Sequence, residues 1–473
     1  KRTASDGGVT TFEYDAASQM TATVDPLGGR TEFVYDPDGN LVETHLPDGA
    51  TLKSEFDLLK RLTAIEDERG ARMEYEYDLA GMLIAATDTT GGRTDYGYNE
   101  MGVLVEATTP GGSVWGFTYD ELGTLNSRTY PWGGTEAYTL DALGGITEIT
   151  DATGKTTEFE YDAAGNVIAK RHADGWEETR TYNLDRQLLT ADEPTGQSTY
   201  SYAGNGRVER IDYPGGNFVE YTYTADGQLS SVRTPGGETN YTYDSEGRLI
   251  GLEDTALGEA QYAYDIAGRL IETILPDGST TTYTRNARGW ITRVETLAAD
   301  GTTVLRDTEM TYDPAGNPLS VTELDRDVDY VYDAAGRIVE ENRTGADADN
   351  MTYAYDADWN LTTKGDRTLG YDSSMLLTSD GRFDSYAYDA AGRPIQRSGG
   401  GVLEKFEYDS LGRLVRLERQ GATPNLVELQ YNHANLLSRI EADGAVRQLL
   451  WDVTREIPQL MEEIGRASCR ERV

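Results

Sequence analysis

The chain has 473 residues and carries 42 Lys+Arg against 82 Asp+Glu, a net charge of −40. That excess repels nucleic-acid phosphates and anionic membrane surfaces, so neither is expected as a partner. No apolar run is long enough to span a membrane, and the single Cys forms no disulfide within the chain. Tyr is abundant at 31 against 8 Phe, and Gly reaches 52. Tyr suits strands covered on one side with a wet hydroxyl end, and Gly suits a chain rich in turns.

Taken in order, the chain repeats one short pattern. Aromatic-x-aromatic-Asp-x-x-Gly, followed by an aliphatic residue, reads as strand, tight turn, strand. The two aromatics share a strand face. The Asp accepts hydrogen bonds from backbone two residues on, and the Gly supplies positive φ. With the second aromatic as the mark, copies fall at Tyr14, Tyr35, Phe56, Tyr77, Tyr98, Tyr119, Leu140, Tyr161 and Tyr182, every 21 residues. Tyr202, Tyr223, Tyr243, Tyr264 and Arg285 follow at 20 or 21, and Tyr312, Tyr332, Tyr355, Tyr371, Tyr388, Tyr408 and Tyr431 at 16 to 27. A second turn lies midway in each unit, as in Asp25-Pro26-Leu27-Gly28-Gly29 or Leu46-Pro47-Asp48-Gly49. Two strands per unit predict about 42 short strands of roughly 5–6 residues.

The turns expected to carry the structure are Tyr77-Asp78 with Gly81, Tyr161-Asp162 with Gly165, Tyr243-Asp244 with Gly247, Tyr264-Asp265 with Gly268, Tyr332-Asp333 with Gly336, and Tyr408-Asp409 with Gly412. The turn after Phe56 has lost its Gly, and that after Tyr182 both Asp and Gly, so both are expected to be strained or rebuilt. Residues 298–302 read as a longer hairpin loop. The Arg that follows the turn Gly, at 248, 269, 337, 393 and 413, is expected to pair with an acidic neighbour along the stack, at little energetic gain.

Tyr-Asp-x-x-Gly-Arg-Leu, followed by Thr-x-Pro-x-Gly-x-x-Thr-x-Tyr-x-Tyr-Asp, resembles the RHS/YD-repeat family over residues 9–440. The resemblance implies an all-β array of hairpins curling into a spiral, shell-like sheet. It further implies a non-catalytic shell around a C-terminal toxin or other cargo of the same polypeptide, in a bacterial protein that is secreted or held at the cell surface. Cell-surface adhesion or glycan binding by Tyr-rich repeats is the alternative, although the six Trp are scattered rather than paired. Beyond the array at 1–440, residues 441–463 resemble the family's passage into its core, marked by Trp451, Asp452 and Pro458, and are not read as a repeat unit. Residues 464–473 hold the only Cys and resemble a translated sequencing adapter. Curling is expected to produce a concave face both acidic and Tyr-rich.

No catalytic, cofactor or metal constellation stands out. His45, His172 and His433 are far apart in sequence and read as solvated residues. Asp36-Pro37-Asp38-Gly39-Asn40 and the Asp325–Asp329 run lack the spacing of a calcium loop and its closing Glu. Asp313-Pro314-Ala315-Gly316 reads as an ordinary repeat turn rather than the family's core motif.

Overall fold

A computed structural model describes residues 1–193, 196–346, 348–454 and 458–464. Among them are 46 strands, one three-residue 3-10 turn at Pro214–Gly216 and no α-helix. The chain divides into two compact units. Unit one takes residues 1–97, 107–112 and 240–366; unit two takes residues 98–106, 113–239 and those from 367 on. Each joins an early stretch of repeats to a late one.

Within a unit, consecutive strands pair antiparallel. Arg72–Tyr77 lies against Leu83–Thr87 with Tyr75 opposite Ala86 and Glu76 opposite Ala85, and the register then shifts so that Tyr77 faces Leu83. The same shift occurs at Tyr161, Tyr264, Tyr332 and Tyr408. Its cause is the five-residue turn. The Asp78 N–H donates to the Met82 carbonyl at 2.9 Å and the Gly81 N–H to the Asp78 carbonyl at 3.1 Å. Asp78 Oδ1 accepts from the amides of Ala80 and Met82, so one carboxylate serves backbone two and four residues on. Gly81 takes φ 91°. The midway turn is built alike: Asp25 Oδ1 accepts from Leu27 and Gly29, and Gly28 takes φ 90°.

Period-two alternation then sorts the side chains. Along Arg72–Tyr77, Met73, Tyr75 and Tyr77 are half-buried on one face, and the exposed Glu74 and Glu76 lie on the other with Arg72. On that second face Arg72 bridges Glu55 and Glu74. Arg30 does the same with Glu13 and Glu32, and Arg93 with Glu76 and Asp95. The expectation of one acidic and Tyr-rich face is therefore corrected. A residue next to Tyr in a strand must point the opposite way, so in these units the carboxylates and the aromatics part company.

Lost glycines leave strain rather than a new turn. Lys60 and Arg186 take φ 62° and 63°, keeping the turn's backbone bonds, and Asn183 replaces the Asp by accepting from the amides of Asp185 and Gln187. Ser18, Trp359, Met375 and Asn435 stand at the same position with φ between 61° and 67°. Residues 298–303 form the long loop between Ile291–Leu297 and Val304–Tyr312. In the shortened region Gly370–Tyr371 and Leu377–Ser379 make a separate two-stranded pair.

The last strands correct two expectations. Ala445–Asp452 pairs with Gln459–Ile464, with a register shift at Trp451, so this hairpin is a repeat unit in which Trp stands for Tyr. Ile464 is paired with Gln448, so the expected break does not include Ile464; residues 465–473 lie outside the described ones. Pro458 is half-buried just before the final strand.

A Cβ at Gly165 would meet nothing within 4 Å, so only backbone strain opposes substitution there. Gly165→Val should cost at least about 1 kcal/mol, with Gly81→Val and Gly268→Val behaving alike, whereas Met375→Gly should raise the melting temperature. Unchanged melting of all three valine variants would remove this role of the turn.

Candidate functional site

The site is built from two kinds of contact, one between neighbouring units and one between loops far apart in sequence. The first begins with the marked tyrosine. The Tyr77 hydroxyl donates to the Leu62 carbonyl at 2.8 Å, Tyr161 to Ile146 at 2.7 Å, Tyr264 to Leu249 at 2.8 Å, Tyr332 to Pro318 at 2.7 Å and Tyr408 to Pro394 at 2.9 Å. Each acceptor starts the return strand of the preceding unit. The hydroxyls are thus not wet, as expected from composition, but tie one unit to the next. Burial pushes the Tyr161 and Tyr408 phenols up. Two replacements of Tyr keep a donor: Arg285 donates to the Leu270 carbonyl at 3.2 Å and the Trp451 indole N–H to the Leu437 carbonyl at 2.6 Å, whereas Phe56 and Leu140 have none.

The arginine after the turn Gly binds its own turn first, and Arg248 and Arg393 reach a second carboxylate, Asp6 and Asp151, from the early stretch. Arg248, Arg269, Arg337, Arg393 and Arg413 each lie 2.7 Å from the Asp four residues before. Arg248, Arg337, Arg393 and Arg413 also sit 4.6–5.3 Å from the ring centre of the next unit's tyrosine. The pair therefore orients a guanidinium over the ring whose hydroxyl makes the tie.

The second contact is a seam. In unit one Asp6 pairs with Arg248 at 3.0 Å, and Arg288 with Asp48 at 3.3 Å and Glu68 at 2.9 Å. The Trp359 indole donates to Asp88 at 2.9 Å and the Gly111 amide to Asp358 at 2.7 Å. In unit two the Trp132 indole donates to the Ala390 carbonyl and Lys155 to that of Tyr408, both at 3.1 Å. Asp174 accepts from the Ser410 amide and hydroxyl at 3.3 Å. Tyr213 donates to the Trp451 carbonyl and Tyr221 to Asp452, both at 2.9 Å. These partners are 220 to 271 residues apart. Apart from Tyr221, midway turns of the early stretch meet Asp turns of the late stretch. Some approaches leave no room for a side chain: a Cβ at Gly8 would lie 2.5 Å from the Ile266 carbonyl oxygen, and one at Gly134 only 2.1 Å from that of Ala390.

In unit two the seam buries polar groups. Asp452 is 0% exposed and Tyr221 2%, and burial raises that phenol strongly. Glu178 is buried between Lys170, at 3.6 Å, and Arg180, which also donates to the His433 carbonyl. Burial lowers Lys170 below the usual lysine range. His172 and His433 are buried, contrary to the expectation of solvated histidines: His172 lies on Trp176 beside Thr157, and His433 meets Tyr200 and Arg180 of the early stretch; His45 is half-buried beside Thr51. Tyr130 and Trp132 stack on each other at 4.6 Å with Trp115 edge-on, so the aromatic pair nearest to a sugar platform is engaged within the protein. Among the described residues no group of three or more His, Cys, Asp or Glu is placed to hold a metal. Asp36 serves its own turn through Asn40, and Asp313 serves Ala315 and Asn317.

The six turns singled out from sequence are divided between the two units. Tyr161, Gly165, Tyr408 and Gly412 belong to unit two, and Tyr77, Gly81, Tyr243, Gly247, Tyr264, Gly268, Tyr332 and Gly336 to unit one. Each of the six glycines has positive φ. The seam residues were missed, since nothing in one unit's sequence points 220 or more residues away; the paired glycines at 7–8 and 133–134 were the available signal.

Tyr161→Phe should lose about 1 kcal/mol of stability. Gly134→Ala should accelerate hydrogen exchange in 130–134 and 389–393 while sparing distant hairpins, because the added Cβ disturbs the close approach to Ala390 and presses on Trp132 and Ala152 beside it. Uniform or absent change would detach Gly134 from the seam.

Comparison with known proteins places these features. The model of the Teneurin YD-shell matches residues 3–138, 139–239 and 296–458. That of the RHS Repeat matches 223–260, 243–280 and 264–303. No curated protein matches. A mutant Tc holotoxin pore of Photorhabdus luminescens has the same fold, with a TM-score of 0.78 at 15% identity over 93% of this chain and 28% of that one. The crystal structure of TcdB2-TccC3 gives 0.72 at 15% identity over 94% and 30%. That of TcdB2-TccC3-TEV gives 0.71 at 16% over 98% and 30%. The chain thus spans less than a third of the length of those chains. With its tyrosine ties, Asp-x-x-Gly turns and matched stretches together, the chain belongs to the Teneurin YD-shell family, and its repeats are RHS/YD repeats.

Proposed function

We propose that this chain is a length of shell wall, part of an exported bacterial protein whose C-terminal toxin or other cargo the wall encloses. The observation that carries the reading is the seam. Loops 220 to 271 residues apart lock edge to edge within each unit. That joins hairpins into a wall instead of leaving a free ribbon. The side chains that could do chemistry are spent on turns, ties and the seam, which suits a structural role. Residues 1–440 are the regular array in this reading, and 441–463, although their last hairpin is built on the plan of a repeat unit, are its passage toward a downstream core. A crystal structure of TcdB2-TccC3 without hypervariable C-terminal region shares the fold, with a TM-score of 0.72 at 16% identity. A variable segment after the shell in that protein supports a cargo in the same place here.

The test is limited proteolysis of the complete protein. The C-terminal domain should resist protease as long as the repeats are intact and become sensitive once the wall is cut. Rapid digestion of that domain beside intact repeats would refute enclosure and leave adhesion as the better reading.

A further inference from the structure

The repeat pattern is broken in one place that neither turns nor ties explain. In unit two, Val167–His172 and Glu177–Tyr182 put Lys170 where other units have Ile65 or Ile149, His172 where they have the Asp of the midway turn, as at Asp25 and Asp151, and Glu178 and Arg180 where the preceding unit has Thr157 and Phe159. His172 is 6% exposed. Its ring lies on that of Trp176, with centres 3.8 Å apart and planes 21° from parallel. Nδ1 is 3.4 Å from the Thr157 hydroxyl, and the buried Nε2 has no hydrogen-bond partner among the described residues.

A neutral imidazole tolerates this, with Nε2 as an unused acceptor. An imidazolium does not. Both nitrogens then carry N–H, and the Nε2 proton would be buried without an acceptor. None of the surrounding charged groups accepts a hydrogen bond from Nε2. Lys170 comes from the same strand, Asp174 from the turn, Glu178 and Arg180 from the next strand, and Asp409 and Arg413 from the late stretch. Every carboxylate among them is already engaged: Glu178 by Lys170 and Arg180, Asp174 by Ser410, Asp409 by Arg413. Arg413 lies 5.8 Å from the centre of the same Trp176 ring, so a protonated His172 would put a second cation on one indole. Burial is also the leading reason why His172 holds its proton less tightly than a free histidine; Asp174 and Glu178 pull the other way but do not offset it, and Lys170 and Arg413 act in the same sense as burial.

We propose that His172 is an acid-sensitive latch: its protonation is incompatible with the closed seam between residues 172–180 and 408–433, so mild acid loosens the wall at this place. The proposal rests on the shell reading for its purpose, but the latch is measured on the seam without cargo. Failure of one therefore leaves the other standing. The sign follows from linkage. The folded state binds this proton less well than the unfolded one. The stability contributed is thus complete above the unfolded value of about 6.5 and declines as pH falls below it.

Hydrogen exchange and tryptophan emission of the chain between pH 7.5 and about 5 test this. Exchange in 172–180 and 408–413, corrected for its intrinsic pH dependence, should rise several-fold in acid for the wild type. It should stay flat in His172→Phe, which keeps the stacking surface and cannot titrate. His433→Gln should keep the rise. Emission should fall in acid as the cation forms against Trp176, and Trp176→Phe should remove that component. This readout holds even where His172→Phe does not fold. A flat wild-type response, or an equal rise in His172→Phe, would overturn the latch.

Discussion

Most repeats are tied by a side-chain donor at the end of the outgoing strand that reaches the first carbonyl of the preceding return strand, although the units marked by Phe56 and Leu140 form without one. Tyr77 to Leu62 and Tyr161 to Ile146 are instances. The position tolerates Arg285 and Trp451, which keep a donor of the right reach. What matters there is thus a hydrogen bond and not the phenol as such. The turn serves this bond. Its carboxylate takes two backbone amides, its glycine turns the chain, and the arginine that follows is held over the next ring. Because each unit touches chiefly its neighbours, stability accumulates along the array instead of arising from one compact core.

A strip held only by neighbour contacts would have two free edges of loops. The seam removes that freedom within each unit, and it does so with different chemistry. Carboxylate–arginine pairs and backbone carbonyls dominate in unit one and near Trp132. Near Tyr221 and Glu178 polar groups are buried outright. Buried charges of this sort are stable only while all partners are in place. A seam that contains Lys170, Glu178, Arg180 and His172 is therefore firm when assembled and vulnerable to any change in one member. Closing contacts over such sequence distances is also entropically late: the hairpins can form as each unit is made, the seam only after the late stretch exists.

The two faces of the strip follow from the same alternation that makes the strands. Arginine and glutamate cross-link neighbouring strands on one face, and tyrosine and aliphatic residues cover the other. The strongly acidic composition is therefore not spread evenly but resides mainly in turns and on the charged face, where water screens it. That gives the net charge a role in solubility and in repelling polyanions without placing it against the aromatic surface.

Local order was legible in the chain itself. The period of about 21 residues, the Asp-x-x-Gly turns at Asp78, Asp162 and Asp265, the long loop at 298–303 and the all-β class all depend on groups within one unit, and a unit is short enough to read by eye. Even the strain at Lys60 and Arg186 could be foreseen, because positive φ is a property of one residue. Three features needed the tertiary structure. The tyrosine hydroxyls point at the previous unit's backbone, which composition reports only as Tyr content. Trp451 acts as a tyrosine, which a letter-by-letter pattern misses because geometry, not identity, qualifies it. The seam, with buried His172, His433 and Asp452, joins loops more than 200 residues apart within each unit, and no single repeat encodes which distant loop it meets.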